Sequence, residues 1–262
     1  MPAPGNITAL ILAGGFGTRV KDLLGDLPKP MAPVNGKPFV EWIIRWLKSQ
    51  GVRDVVISTG YGSEYVVNYF STQPVSDMNV QCVAELQPMG TGGGLAYAAA
   101  QCGAAPPAWL VLNGDSLIFA DVAALCSELG EADGVMVTRA VPDTARYGSV
   151  RTDATGRITA FEEKQPGAGH INGGIYLLRH SVLAGFPSTR PLSLEREVFP
   201  NLLSEKGGLR AHPVEAAFLD IGTPETLPQA EAFVTENQAQ FAWNLLKPSK
   251  ASRRFFGIKP AI

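Results

Sequence analysis

The string Leu12-Ala13-Gly14-Gly15-Phe16-Gly17-Thr18-Arg19 follows directly on an apolar run, Ile7 to Leu12. Glycine lacks the Cβ that holds a backbone N–H away from an anion, and it tolerates positive φ, so such a loop can wrap a polyphosphate. Arg19 adds a planar fork of donors that matches phosphate oxygens, and Lys29, fixed between Pro28 and Pro30, adds a point charge. Two acids end short apolar stretches elsewhere: Asp115 in Asn113-Gly114-Asp115, and Asp220 in Phe218-Leu219-Asp220-Ile221. Mg²⁺ takes one or two carboxylates and completes its octahedron with water and phosphate oxygens, so this pair suits it if the fold joins them. The structural alternative has Asp115 closing a turn and Asp220 capping a helix, although Thr223 is the better N-cap residue.

Two other phosphate-binding strings are excluded. A dinucleotide fingerprint needs a glycine where Val20 stands, and a P-loop needs Ser or Thr after Gly36-Lys37, where Pro38 stands. The motif Gln87-Pro88-Met89-Gly90-Thr91-Gly92 has, as its structural alternative, an ordinary turn into the following helix. Likewise Phe161-Glu162-Glu163-Lys164 alone reads as a solvated hairpin end, and Tyr147-Gly148 reads either as a strand start or as a backbone contact.

The glycine string with Arg19 and Lys29 resembles the signature loop of sugar-1-phosphate nucleotidyltransferases, and the resemblance runs from Ile7 to about Phe233. Phe16 together with Asp26-Leu27-Pro28-Lys29-Pro30-Met31-Ala32-Pro33 looks most like the branch that makes GDP-D-glycero-D-manno-heptose, with mannose-1-phosphate guanylyltransferases also similar. The resemblance implies a Rossmann-like, mainly parallel mixed sheet of the nucleotide-diphospho-sugar transferase type. It implies GTP and a heptose 1-phosphate as substrates and Mg²⁺ as cofactor, bound by Asp115 and Asp220. Arg19 and Lys29 would meet the triphosphate. Leu12, Ala13, Gly14, Gly15, Gly17 and Thr18 would form the nucleotide loop, and Gln87, Gly90 and Thr91 a second loop beside the base. Glu163, Lys164, Asn172 and Gly148 would hold the sugar phosphate. Relatives follow the lysine directly with proline, whereas Gln165 precedes Pro166 here. Alternatives within the same resemblance are a uridylyltransferase or mannose-1-phosphate guanylyltransferase on a hexose or amino-sugar 1-phosphate, and a non-catalytic nucleotide-sugar sensor. A sensor is expected to have lost Arg19, Lys29 or an acid, and all are present.

The elements that must position these residues alternate in the first half. Strands are expected at Ile7 to Leu12, Val55 to Ser58, Val80 to Ala84 and Trp109 to Leu112; helices at Pro38 to Gln50, Glu64 to Phe70 and Leu95 to Gln101. That order predicts a mainly parallel sheet with helices on both faces. The second half is less regular: strands at Gly134 to Ala140, Gly148 to Thr152, Arg157 to Glu162, Gly174 to Leu178, Leu209 to Pro213 and Phe218 to Ile221, and a helix at Leu194 to Leu203. Thr223-Pro224 is expected to cap a long helix to about Trp243. This gives one nucleotidyltransferase domain over 1–246, with a nucleotide half to about 133 and a sugar half to about 246, and a basic tail over 247–262. The tail reads equally as a solvated end or as a contact for a second copy or a phosphate.

A net charge of −2, from 22 Lys and Arg against 24 Asp and Glu, lacks the basic face a nucleic-acid track needs. Cys82, Cys102 and Cys126 form no CxxC pair or disulfide ladder, and no secretory segment is evident, so a cytoplasmic setting is expected. No apolar stretch approaches the ~20 residues of a membrane span.

Overall fold

The computed structural model describes residues 1–145, 148–162, 166–187 and 189–242. In chain order its strands are β1 (Thr8–Ala13), β2 (Pro33–Val34), β3 (Lys37–Pro38), β4 (Asp54–Thr59), β5 (Asn79–Ala84), β6 (Ala108–Asn113), β7 (Ser116–Ile118), β8 (Gly134–Val141), β9 (Ser149–Thr152), β10 (Ile158–Glu162), β11 (Gly169–Arg179), β12 (Leu209–Pro213) and β13 (Phe218–Asp220). The α-helices are α1 (Lys21–Leu24), α2 (Phe39–Ser49), α3 (Ser63–Thr72), α4 (Gly90–Gln101), α5 (Val122–Glu128), α6 (His180–Ala184), α7 (Phe199–Ser204) and α8 (Ala230–Glu236).

One sheet runs through both halves. Its path is β10-β9-β11-β6-β1-β4-β5, with β8 paired to β11 and β12 paired to β8. β1 lies between β6 and β4, parallel to both, and β4 is parallel to β5. β11 joins β6 antiparallel, so the sheet is mixed. Alternation along β1 sends Ala9, Ile11 and Ala13 to one face, where Phe39 and Ile43 of α2, Leu125 of α5 and Val234 of α8 cover them. Leu10 faces the opposite side with Leu95 of α4, Leu183 of α6 and Phe199 of α7. Both faces of β1 are thus dry, which explains why it reads as a continuous apolar run.

Two helical expectations change. The helix placed from Leu95 begins at Gly90, so glycines 90 and 92–94 are helical. The helix expected from Pro224 is broken into a 3₁₀ turn, Leu227–Gln229, then α8, then a second turn, Gln238–Phe241. Pro228 has no N–H to return to residue 224, so a helix starting there cannot propagate past it. The stretch Leu194 to Leu203 is helical, but its first turn, Leu194–Val198, is a π-helix continuing into α7. No helix among the described residues is long and apolar enough to cross a membrane.

Candidate active site

The parallel strands β1, β4, β5 and β6 deliver Gly14, Gly60, Glu85 and Gly114 to the same edge of the sheet, just beyond their carboxyl ends. A cleft of about 540 Å³ opens there, walled by residues 12–16, Lys29, Pro30, Gly60, Tyr61, residues 85–88, Gly90, Thr91, residues 113–115 and Glu195. This is where open α/β sheets bind ligands.

The wall after β1 is nearly all backbone. A Cβ on Gly14 would stand 2.9 Å from Glu85 Oε1, while one on Gly15 would meet nothing within 4 Å. Gly17 is left-handed at φ 59° and starts the 3₁₀ turn Thr18–Val20, which Val20 anchors in the core. Gly17 also abuts Lys29, since its Cβ would lie 3.3 Å from Lys29 Cβ. Lys29 itself is set by Pro28 and by a 3₁₀ turn with buried Pro30 and Met31.

Charged groups converge at one end. Lys29 Nζ pairs with Asp115 Oδ2 at 2.7 Å, the lysine side chain being 13% exposed. Asp115 leaves the end of β6 through Gly114, whose N–H donates to the Leu12 carbonyl at 2.8 Å and whose Cβ would collide with that same oxygen. β7 then pairs antiparallel with β13, setting Ser116 opposite Asp220, and Ile221 N–H donates to the Asp115 carbonyl at 2.9 Å. That small ladder brings together two acids far apart in sequence. Burial, and after it the charge of Asp115, push the Asp220 carboxyl above the usual carboxylate range, against the Gly222 N–H at 2.6 Å and the charges of Lys29 and Arg19. Arg19 is exposed and carries its guanidinium to this end, 3.3 Å from where a Gly222 Cβ would stand. Lys29 is the one cation in ion-pair contact with this pair of acids among the described residues, and Arg19 acts on Asp220 through its charge alone. The pair's oxygen donors fit a divalent cation that brings its own water and phosphate ligands.

At the other end, Glu85 is half-buried between the Gly14 loop and α4. It accepts from the Met89 N–H at 3.0 Å and the Ser58 hydroxyl at 3.4 Å, and desolvation raises its carboxyl above the ordinary range. A Cβ on Gly94 would strike it too. Gln87 and Gly90 line the cleft as expected, and Thr91 does so with its hydroxyl engaged: it accepts from Leu194 N–H at 2.9 Å and donates to Glu195 at 3.0 Å.

Beside β6, β11 bulges between Asn172 and Tyr176. Gly174 sits in the bulge at φ 77°, with its Cβ direction 2.8 Å from Ser116 Oγ and 3.0 Å from Asn113 Nδ2. The Asn172 amide donates to the Tyr176 hydroxyl at 2.8 Å and accepts from Gly174 N–H at 2.8 Å; Asn172 is not among the residues that wall the cleft. Gly148 is exposed, next to the Glu162 carbonyl. Glu163, Lys164 and Tyr147 lie outside the described residues. Sequence reasoning missed Glu85, Asn113, Tyr176 and Glu195. Only Glu85, two residues before Gln87 at a strand end, carried a positional cue; the others enter through register and bulge geometry.

Fold and site define a nucleotide-transferring enzyme class, and the chain belongs to the nucleotidyl transferase family, which it matches over residues 8–237. It is 36% identical over 228 residues to the D-glycero-alpha-D-manno-heptose 1-phosphate guanylyltransferase of Campylobacter jejuni, covering 83% of this chain and 95% of that one. It is 34% identical over 231 residues to the mannose-1-phosphate guanylyltransferase of Mycobacterium tuberculosis, covering 86% of this chain and 64% of that longer one. The crystal structure of HddC from Yersinia pseudotuberculosis complexed with GMP-PN superposes with a TM-score of 0.76 at 31% identity, over 86% of this chain and 98% of that one. The family and the mixed Rossmann-like fold expected from the glycine string are thus borne out.

Proposed function

We propose that the chain transfers GMP from GTP to D-glycero-α-D-manno-heptose 1-phosphate in the cytoplasm, releasing pyrophosphate and forming GDP-heptose for cell-surface polysaccharide synthesis. The observation that carries this reading is the gathering of Arg19, Lys29, Asp115 and Asp220 at one end of a glycine-walled cleft. The relatives named for heptose 1-phosphate, from Campylobacter jejuni at 36% and Aneurinibacillus thermoaerophilus at 30% identity, support the sugar. The guanylyltransferase names of those relatives and the HddC structure complexed with GMP-PN support the base.

The chemistry is a single in-line displacement. An oxygen of the sugar 1-phosphate forms a bond to the α-phosphorus of GTP as the bond to the leaving pyrophosphate breaks. A phosphate monoester is anionic near neutral pH, so no general base is needed, and rate enhancement comes from positioning and charge stabilisation. Arg19 neutralises charge on the transferring and leaving phosphates. Lys29 leaves Asp115 to meet phosphate oxygen once nucleotide enters, and with Lys164 it holds two mutually repelling anions together. Gly14 and Gly15 let the backbone lie against base and ribose, while Asn172 positions the sugar ring. Asp115 and Asp220 would hold Mg²⁺, which supplies Lewis acidity to the α-phosphate and the leaving group.

Mannose 1-phosphate is the second reading, favoured by the mycobacterial relative. A matrix of four nucleoside triphosphates against heptose, mannose, glucose and N-acetylglucosamine 1-phosphates, scored by pyrophosphate, tests both. GTP with heptose 1-phosphate should give the highest kcat/KM. A preference for UTP, or no pyrophosphate with any pair, overturns the proposal.

A further inference from the structure

Glu195 is an acid in the wall of the cleft proposed to bind nucleotide, with no ion pair among the described residues. Its position is built. Ser193 caps the π-turn, accepting from Arg196 N–H at 3.1 Å, and its hydroxyl contacts Glu195 Oε2 at 3.1 Å. Thr91 holds the same oxygen at 3.0 Å from across the chain. The supporting backbone is locked as well: the Leu192 carbonyl accepts from the N–H groups of Gly92 and Gly93 at 2.8 and 3.2 Å, and Leu192 N–H donates to Met89 at 2.9 Å. A Cβ on Gly90 would approach that carbonyl to 2.7 Å. The Leu192 carbonyl thus occupies N–H groups of α4's first turn that could otherwise have faced a phosphate. π-turns are rare and are frequently found at functional sites.

With Oε2 occupied, Oε1 has no partner among the described residues and belongs to a side chain in the cleft wall. A carboxylate repels phosphate, so what it can take from an incoming phosphorylated substrate is a hydroxyl. Glu195 acts on the Tyr176 hydroxyl, which burial first and Glu195 second keep in the phenol form, and that hydroxyl accepts from Asn172. Glu195 thus lies within electrostatic range of the hydroxyl bonded to Asn172, the residue given to the sugar ring in the reading above.

We propose that Glu195 is a substrate-binding residue whose free carboxylate oxygen accepts a hydrogen bond from a ring hydroxyl of the sugar 1-phosphate, so that Thr91, in the loop beside the base, fixes a group that reads the sugar. This rests on the transferase reading above. Glu195→Gln keeps an acceptor for Thr91 but loses the charge. With GTP saturating, it should raise the KM for D-glycero-α-D-manno-heptose 1-phosphate roughly 10- to 100-fold, as for a lost charge-assisted bond, and leave the KM for GTP unchanged. Thermal melts, with Glu195→Asp as the second variant, verify that the fold is intact. Among 2-, 3-, 4- and 6-deoxy derivatives of mannose 1-phosphate, one that is poor for the wild type should be no worse than its parent for Glu195→Gln. An unchanged sugar KM overturns the assignment, as does a rise in the KM for GTP at least as large as that for sugar; 2′- and 3′-deoxy-GTP would then separate a ribose contact from a purely structural latch. A wild type that forms no pyrophosphate sinks the transferase reading and this assignment together, whereas a working wild type with an indifferent Glu195→Gln sinks the assignment alone.

Discussion

The two ends of the cleft are made differently. At the end proposed to take phosphate, the wall after β1 is a contiguous string in which Gly14, Gly15 and Gly17 present backbone, and the cations beside it follow closely in sequence. At the end proposed to take the sugar, the polar groups are side chains: Asn172, bonded to the buried Tyr176 across a bulge in β11, Asn113 at the end of β6, and Glu195 on a π-turn. Recognition by backbone makes every Cβ an obstruction, so residue type is dictated position by position. Recognition by side chains lets the donor come from any element that reaches, and the contacting residues can lie far apart in sequence.

If the phosphate end carries the chemistry, its largest single loss lies in Arg19. Arg19→Ala should lower kcat by roughly 10²–10⁴, in line with other phosphoryl-transfer arginines and preorganised donors, and Arg19→Lys should also be poor because the planar fork is gone. Steady-state pyrophosphate release measures it, and near-normal turnover would remove Arg19 from the mechanism and leave the phosphates to the backbone and the lysines. Asp220→Asn comes next. Because the folded carboxyl sits above the ordinary value of 3.8, its ionised form opposes folding. The metal-free wild type should therefore lose stability as pH rises from that ordinary value through the raised one, and the loss persists above it. The Asn variant should show a flatter Tm–pH curve and a higher metal-free Tm at neutral pH, yet lose the Tm gain on adding Mg²⁺ along with most of its product formation. Identical Mg²⁺ titrations of both proteins would remove Asp220 from the metal site.

The same contrast governs how much was legible in the sequence. The glycine string, Lys29 between its prolines and the alternating strands of the first half carry their geometry locally, and they fell where expected. Helix α4 did not: each glycine in a helix costs about 1 kcal/mol relative to Ala, so a local reading delays the start to Leu95, whereas the close approaches of Leu192 and Glu85 make those glycines fit the helix. The meeting of Asp115 with Asp220 depends on the β7–β13 ladder, three residues a side, too short to announce itself. Glu195 had no local signal, because what holds it is a threonine on another element.

Glycine substitutions at the two ends sharpen the comparison at its smallest scale. Gly174 needs its left-handed backbone, and its Cβ would press on Ser116 and Asn113; Gly174→Ala should cost about 1–2 kcal/mol of stability from the conformation alone, seen as a lower Tm without any ligand. Gly15 has no positive φ and open space where a Cβ would go. Gly15→Ala should therefore leave stability within about 0.5 kcal/mol. Its methyl group would instead stand in the wall that nucleotide must approach, and the KM for GTP should rise by roughly tenfold, the scale of a modest steric clash. If Gly15→Ala lowered the Tm and spared the KM, the fold rather than the ligand would be what demands glycine there, and the phosphate end would lose its distinction from the sugar end.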